Sequence, residues 1–226
     1  MGVELETALS FGDEARGKIV LRGHDLAVLA ETEGYEAVAA RLWADVVPFA
    51  ISPEALGVAR ERMFGAVLPY APLVAGRPVA EAMRVLLAAA VVGDPVDLVA
   101  AVGLAAVLAM RSAQGMDWRA PDAGAGHAED LLAMATGQAA APDRAAALER
   151  YMTLMIDHGI SASTYAARIA ASTGAGLVPV ALAALSVLEG PKHGGAPALV
   201  LDQLDGLSGP GDVLAELGLS AAHDAP

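Results

Sequence analysis

The chain has 226 residues, of which 55% are hydrophobic and 4% aromatic, so it is long enough to bury the core of one compact domain. Its formal net charge of −13 leaves no general positive field for a polyphosphate backbone and argues against nucleic acid as a partner. The absence of cysteine excludes disulfides, thiolate metal sites and a cysteine nucleophile. Since the apolar residues are mostly Ala, Leu and Val, the predicted fold class is all-α.

The N-terminal residues carry early acidic side chains and no apolar signal region, which predicts a cytoplasmic protein. Two apolar stretches, 85–92 and 98–110, are shorter than the roughly 20 residues that a membrane span needs. We therefore expect both to be buried helices and expect no membrane association.

Turn residues around Gly12 and Asp13 predict a small β-hairpin within an N-terminal segment, residues 1–24. Asp25 is a predicted helix N-cap, and Ser52 followed by Pro53 marks another helix start. That helix should reach about residue 68, where two prolines follow. Further helices are predicted from Tyr35 and over 79–92, 95–110, 127–136, 142–157, 162–172, 177–188 and 197–207, with a loop over 112–126. Residues 25–208 form the predicted helical domain, and 209–226 a short helix and tail.

The stretch "LMIDHGISASTYAARIAAS" contains the first chemical candidate, His158. A helix end followed at once by a helix start lets its ring face a cavity while free N–H groups of the next turn face an anion. The alternative is a glycine-terminated helix whose successor is merely capped by Ser163 or Thr164. No HExxH motif or His/Asp spacing indicates a metal site.

Five segments in order resemble the citrate synthase family over about residues 6–204. They are "ETALSFGDEARGKIVLRGHDLAVLAE", "YEAVAARLWADVVP", "HAEDLLAMATGQ", "DHGISASTYAARIAAST" and "GPKHGGAP". The last two contain His158 and His193, 35 positions apart, in the family's order. The resemblance implies the family's helical large domain, which forms a dimer through antiparallel helices. It also implies condensation of an acyl-CoA, usually acetyl-CoA, with oxaloacetate or a related 2-oxo acid, with no covalently bound cofactor.

The resemblance also implies roles for single residues. His193 matches the catalytic histidine that hydrogen-bonds the thioester carbonyl and stabilises the enol or enolate, and Ser163 matches the hydroxyl residue beside it. His158 matches the histidine that binds oxaloacetate. Ser161 stands among the substrate-binding positions where the family commonly has asparagine, so a hydroxyl replaces the usual amide.

Gly194 and Gly195 follow the predicted catalytic histidine. Glycines there allow the backbone to approach substrate closely and leave N–H groups open at the start of the next helix. Both are therefore predicted to belong to the substrate-binding site.

The family's later segments, which carry a second catalytic histidine, an aspartate base and carboxylate-binding arginines, have no match within these 226 residues. His223 and Asp224 have suitable side chains but indicate a tail, because the surrounding motif is missing. We therefore expect a large-domain subunit that needs another chain, as a homodimer or as a heteromer with a longer citrate synthase-like subunit. The alternatives are a non-catalytic binding, regulatory or scaffold subunit and a shortened enzyme with a lyase or thioesterase-like reaction. An exposed apolar patch should mark the interface.

Overall fold

A three-stranded antiparallel sheet opens the computed structural model, which describes residues 7–194. Its strands are β1 (Ser10–Asp13), β2 (Lys18–Leu21) and β3 (His24–Asp25), in the order β1-β2-β3. Ser10 pairs with Leu21 and Asp13 with Lys18, so Gly12 and Asp13 lie in β1 and the turn follows them. The predicted hairpin is confirmed, and the two-residue β3 extends it into a sheet.

All other regular elements of the described chain are helices, as the all-α prediction requires. The helices are α1 (Leu26–Thr32), α2 (Tyr35–Trp43), α3 (Pro53–Val67), α4 (Ala71–Val74), α5 (Val79–Ala89), α6 (Pro95–Ala113), α7 (His127–Thr136), α8 (Pro142–Leu154), α9 (Ala162–Ser172) and α10 (Leu177–Leu188). A 3-10 turn, Leu68–Tyr70, joins α3 to α4.

Three helix starts follow from capping side chains. Asp25 accepts a hydrogen bond from Ala27 N at the start of α1, and Ser52 accepts one from Ala55 N at the start of α3. Asp94 caps α6 in the same way. The first two caps were predicted, and all three satisfy backbone N–H groups that have no partner inside the helix.

Some helix ends differ from the predictions. The predicted helix 79–92 ends at Ala89, and the predicted helix 142–157 ends at Leu154. The chain between 68 and 74 stays helical, because each proline there lies in the first turn of a new short helix, where its missing N–H costs little. The predicted helix 197–207, the last short helix and the tail lie outside the described residues.

Helix α6 forms the centre of the main core, packed between α3, α5 and α7. Leu104 and Leu108 of α6 are almost fully buried and belong to one cluster with Leu56 of α3 and Leu86 of α5. A second, smaller cluster joins Leu21 of the sheet to α1 and α2. The sheet is therefore attached to the helical body by its own apolar contacts.

Helix α6 is also long and apolar enough to cross a membrane by composition alone. It runs three residues beyond the predicted end at Met110, so the argument from length does not exclude a span. However, 56% of its most apolar window is buried inside the protein. Burial on several sides is typical of a core helix, and it accounts for the apolar composition.

Candidate functional site

The predicted catalytic histidine and serine lie in direct contact. His193 Nε2 is 2.9 Å from Ser163 Oγ, and both side chains are partly buried. Ser163 is the second residue of α9, while His193 lies in the turn that follows α10. Because α9 packs along α10, the end of α10 lies next to the start of α9. This brings together two side chains that are 30 positions apart in the sequence.

Ser161 provides the N-cap of α9. Its hydroxyl accepts a hydrogen bond from Thr164 N at 3.3 Å and lies 3.1 Å from Ser163 Oγ. The alternative prediction that Ser163 or Thr164 caps this helix is therefore wrong. Within the described chain, the N–H groups of Ala162 and Ser163 have no hydrogen-bond acceptor, as expected for the first turn of a helix. Two free donors thus lie beside the Ser163 hydroxyl.

The turn after α10 fixes the backbone at His193. His193 N donates to Gly190 O at 2.9 Å, and Gly194 N donates to Leu188 O at 2.8 Å. A Cβ at position 194 would lie 2.4 Å from that same carbonyl oxygen, a separation that real side chains do not tolerate. Position 194 therefore requires glycine, because its backbone lies directly against the last carbonyl group of α10. Gly195 lies outside the described residues.

Ser163 lines an apolar cavity of about 200 Å³. The other lining residues come from α5, α6 and α10 and are all apolar; they include Met83, Leu87, Val102, Ala105, Ala184 and Leu188. Ser163 contributes the one polar side chain among the described residues of this lining. The cavity is therefore suited to an apolar group that lies next to a hydroxyl.

His158 lines a different cavity. Its Nε2 lies 2.5 Å from Leu154 O at the end of α8. The ring borders a space of about 460 Å³ together with Arg16, Lys18 and Asp25 of the N-terminal sheet region. His158 and Ser161 are three positions apart in the sequence, so their Cα atoms are at most about 11 Å apart. The structure thus brings His193, Ser163 and Ser161 together and places His158 at the neighbouring cavity.

The sequence reading missed a buried charged network between α3 and α7. Arg60 is fully buried, and its Nε donates to Asp130 Oδ2 at 2.6 Å. Its two terminal nitrogens contact His127 Nδ1 at 3.1 Å and the carbonyl oxygens of Asp122 and Ala125. One guanidinium group therefore fastens the loop before α7 to the core.

The partners of His127 determine its protonation. Because the Arg60 guanidinium can only donate, His127 Nδ1 must accept, and the ring is neutral. Burial, with the positive charge of Arg60 second, lowers the pKa of His127 to about 3. The ring stacks on Tyr35 with centroids 5.7 Å apart, and burial, with the charge of Glu36 second, raises the pKa of Tyr35 to about 12. This network is a structural support in which the charge of Arg60 is compensated.

Within residues 7–194, no group of three or more His, Asp or Glu side chains is placed to hold a metal ion. Near α9, the described residues offer a hydroxyl, an imidazole and the backbone N–H groups of a helix start.

The family model described as "Citrate synthase, C-terminal domain" matches residues 2–217. The chain belongs to the citrate synthase family. A citrate synthase of Haloferax volcanii is 32% identical over 224 residues, which cover 88% of this chain and 58% of that protein. A citrate synthase of Deinococcus radiodurans is 37% identical over 95 residues, 42% of this chain and 25% of that protein.

Solved structures of citrate synthases have the same fold. The structure from Thermotoga maritima superposes with a TM-score of 0.78 at 24% identity and covers 96% of this chain. The structure from Pyrobaculum aerophilum also has a TM-score of 0.78, at 25% identity, and covers 90% of this chain. The matches cover 62% and 57% of those chains. This chain thus spans about three fifths of the length of the relatives it matches.

Proposed function

We propose that this protein takes part in the condensation of an acyl-CoA, acetyl-CoA in the first instance, with oxaloacetate or a related 2-oxo acid. The contact between His193 Nε2 and Ser163 Oγ, in a chain of the citrate synthase family, is the observation that carries this proposal. His193 would hydrogen-bond the thioester carbonyl oxygen, and His158 would bind the 2-oxo acid. Coenzyme A enters as part of the substrate, and no bound cofactor is invoked.

The start of α9 is suited to bind a substrate that carries or develops negative charge. The free N–H groups at the start of α9 and the helix dipole favour negative charge at that point. The enolate of a thioester develops such charge on its oxygen, which an imidazole N–H and backbone donors stabilise. A positioned base for the methyl proton typically contributes about 10²–10⁴-fold in rate. Among the described residues, the side-chain hydrogen bond of His193 is to Ser163, and none to a second histidine or an aspartate is present.

We propose that a second chain completes the site. Helix α10 consists almost entirely of apolar residues. Three of them, Ala181, Leu182 and Leu185, pack against the main core, but no residue of α10 or α9 is fully buried. Tyr165, Ile169 and Leu188 are each about two-fifths exposed. An apolar helix that the described residues cover on one side only is typical of an interface. The partner would be a second copy or a longer citrate synthase-like subunit.

Free-thiol release from acetyl-CoA in the presence of oxaloacetate, with citrate detected by mass spectrometry, tests the activity. His193→Ala should abolish citrate formation, while His24→Ala, which changes an exposed histidine of the sheet, should retain it. The assay is run with the chain alone and with a longer citrate synthase-like chain added. Citrate formed equally well by His193→Ala would contradict the role of this residue.

Analytical ultracentrifugation tests the partner. Ile169→Glu should weaken self-association or binding to the longer subunit, because it places a charge on the exposed α9 surface. Val28→Glu, an equally apolar and exposed position on α1, is the matched control. If neither substitution changes the sedimentation coefficient of a dimer, the interface lies elsewhere.

A non-catalytic binding or scaffold subunit is the alternative function. It predicts a stable complex with a longer citrate synthase-like chain whose activity does not change when His193 is replaced in this chain. The His193→Ala variant in the mixed complex therefore separates the two functions.

A further inference from the structure

We propose that Ser163 is a nucleophile that hydrolyses acyl-CoA thioesters, with His193 as its general base and the apolar cavity as the acyl site. This activity is distinct from condensation, because it needs water and no 2-oxo acid. It rests on the proposed function only for the identity of the electrophile, a CoA thioester.

The first observation is the hydrogen bond between the two side chains. A serine hydroxyl is a weak nucleophile unless a base takes its proton, and the pair is recognised by a separation of about 2.6–3.2 Å. The distance of 2.9 Å from Ser163 Oγ to His193 Nε2 lies within that range. With the proton of the neutral imidazole on Nδ1, the hydroxyl donates to Nε2, which is the arrangement needed for attack.

The second observation is the pair of free backbone donors beside the hydroxyl. Ser163 is the second residue of α9, so its own N–H and that of Ala162 have no acceptor within the helix. Thr164 N, in contrast, is occupied by the hydroxyl of the N-cap Ser161. Donors next to the nucleophile are suited to stabilise the oxyanion of a tetrahedral intermediate, and the helix dipole adds to their effect.

The third observation is the cavity of about 200 Å³ that Ser163 lines. A cavity needs about 10–15 Å³ to hold one water molecule, so this space accommodates an acyl chain of several carbons. Its wall is apolar apart from the Ser163 side chain, which suits an alkyl group and not the carboxylates of a 2-oxo acid. The geometry therefore favours short acyl chains longer than acetyl.

The reaction proceeds in two balanced steps. Ser163 Oγ attacks the thioester carbonyl carbon while His193 Nε2 takes the hydroxyl proton; the C–S bond then breaks, and the thiolate receives that proton and leaves as free CoA. The Ser163 ester is next attacked by water, whose proton passes to His193. The C–O bond to Ser163 breaks, its oxygen recovers the proton, and a carboxylic acid is released.

The test is hydrolysis of butyryl-CoA and acetyl-CoA by the full chain without any 2-oxo acid. Thiol release is followed by absorbance, and the protein is quenched in acid for peptide mass spectrometry. We expect butyryl-CoA to be hydrolysed and a butyryl group to be found on Ser163. Ser163→Ala should reduce the rate by at least about 100-fold, the lower range for a nucleophile and base pair. Ser172→Ala, an exposed serine of the same helix, is the matched control.

A second variant tests the acyl site independently of the nucleophile. Ala184→Leu fills part of the cavity and should reduce the rate with butyryl-CoA more than the rate with acetyl-CoA. A Ser163→Ala enzyme that hydrolyses as fast as the wild type, or an adduct on another residue, would overturn the proposal. Absence of thiol release without a 2-oxo acid would overturn it as well.

The outcomes also separate this inference from the proposed function. Citrate formation from acetyl-CoA and oxaloacetate, with no thiol release in the absence of oxaloacetate, leaves condensation standing and refutes hydrolysis. Thiol release without any citrate does the reverse.

Discussion

Replacing His127 should reduce the amount by which acid lowers the free energy of unfolding. In the folded protein the pKa of His127 is lowered to about 3 by burial and by Arg60, while an unfolded chain has a histidine pKa near 6.5. Between these values the unfolded state binds a proton that the folded state does not. The part of the folding stability that depends on a neutral His127 is therefore fully present above about pH 6.5 and is lost as the pH falls toward about 3.

The size of this effect follows from the two pKa values. Relative to about pH 8, the free energy of unfolding should be lower by about 2 kcal/mol at about pH 5 and by about 4 kcal/mol at about pH 3 on account of this one histidine. His127→Asn lacks the titrating ring but keeps an oxygen that can accept the hydrogen bond from Arg60. The variant is expected to be less stable at neutral pH, because it loses the stacking on Tyr35.

Urea unfolding, followed by circular dichroism at about pH 8 and about pH 5, measures the effect. The difference between wild type and His127→Asn should shrink by about 2 kcal/mol at the lower pH. His24→Asn, which changes an exposed histidine, controls for the general effect of acid on a chain of net charge −13. If wild type and His127→Asn lose stability in parallel, His127 is not a buried neutral histidine and the reasoning is refuted.

Two pairs of substitutions test the packing around the same network. Gly57→Ala on α3 should destabilise the fold by a few kcal/mol, because the new Cβ would lie 2.1 Å from a carbonyl oxygen of the loop before α7. Gly65→Ala on the same helix meets nothing within 4 Å and should stabilise it by about 0.5–1 kcal/mol, measured as a rise in Tm. Asp130→Asn leaves Arg60 buried without its counter-charge and should cost about 3–5 kcal/mol in urea unfolding. Asp13→Asn, which breaks an exposed ion pair, should cost less than about 1 kcal/mol, so similar losses in both variants would contradict the burial argument.

The sequence allowed most helices to be predicted, because their starts are encoded locally. Ser52 with Pro53, and Asp25 before an apolar run, are signals that act within a few residues, and the structure confirms both. The end of α5 has no such signal, since the apolar run continues to Val92. Helix α5 ends shortly before the residues that form the start of α6. There Asp94 accepts a hydrogen bond from Asp97 N, and Gly93 N donates one to the Asp97 side chain.

The candidate site was predictable only in part. The pairing of His193 with Ser163 follows from the family resemblance, whereas the position of His158 beside the N-terminal sheet depends on how that sheet packs against α8. Arg60 lies in the charged stretch "ARER", which on its own indicates a solvated helix face. Its burial arises from partners 62 to 70 residues away, and no local pattern contains that information.

The attachment of His193 to the end of α10 would couple the proposed association of chains to the proposed chemistry. Gly194 N and His193 N are held by carbonyl oxygens of residues 188 and 190, so a displacement of α10 displaces the imidazole with it. Helix α10 also belongs, with α9, to the partly exposed apolar surface proposed as the interface. Association that fixes α10 therefore also fixes the distance from the imidazole to the Ser163 hydroxyl, and by thermodynamic reciprocity a ligand held between them strengthens association. Specific activity should accordingly rise with protein concentration and level off once the complex is saturated.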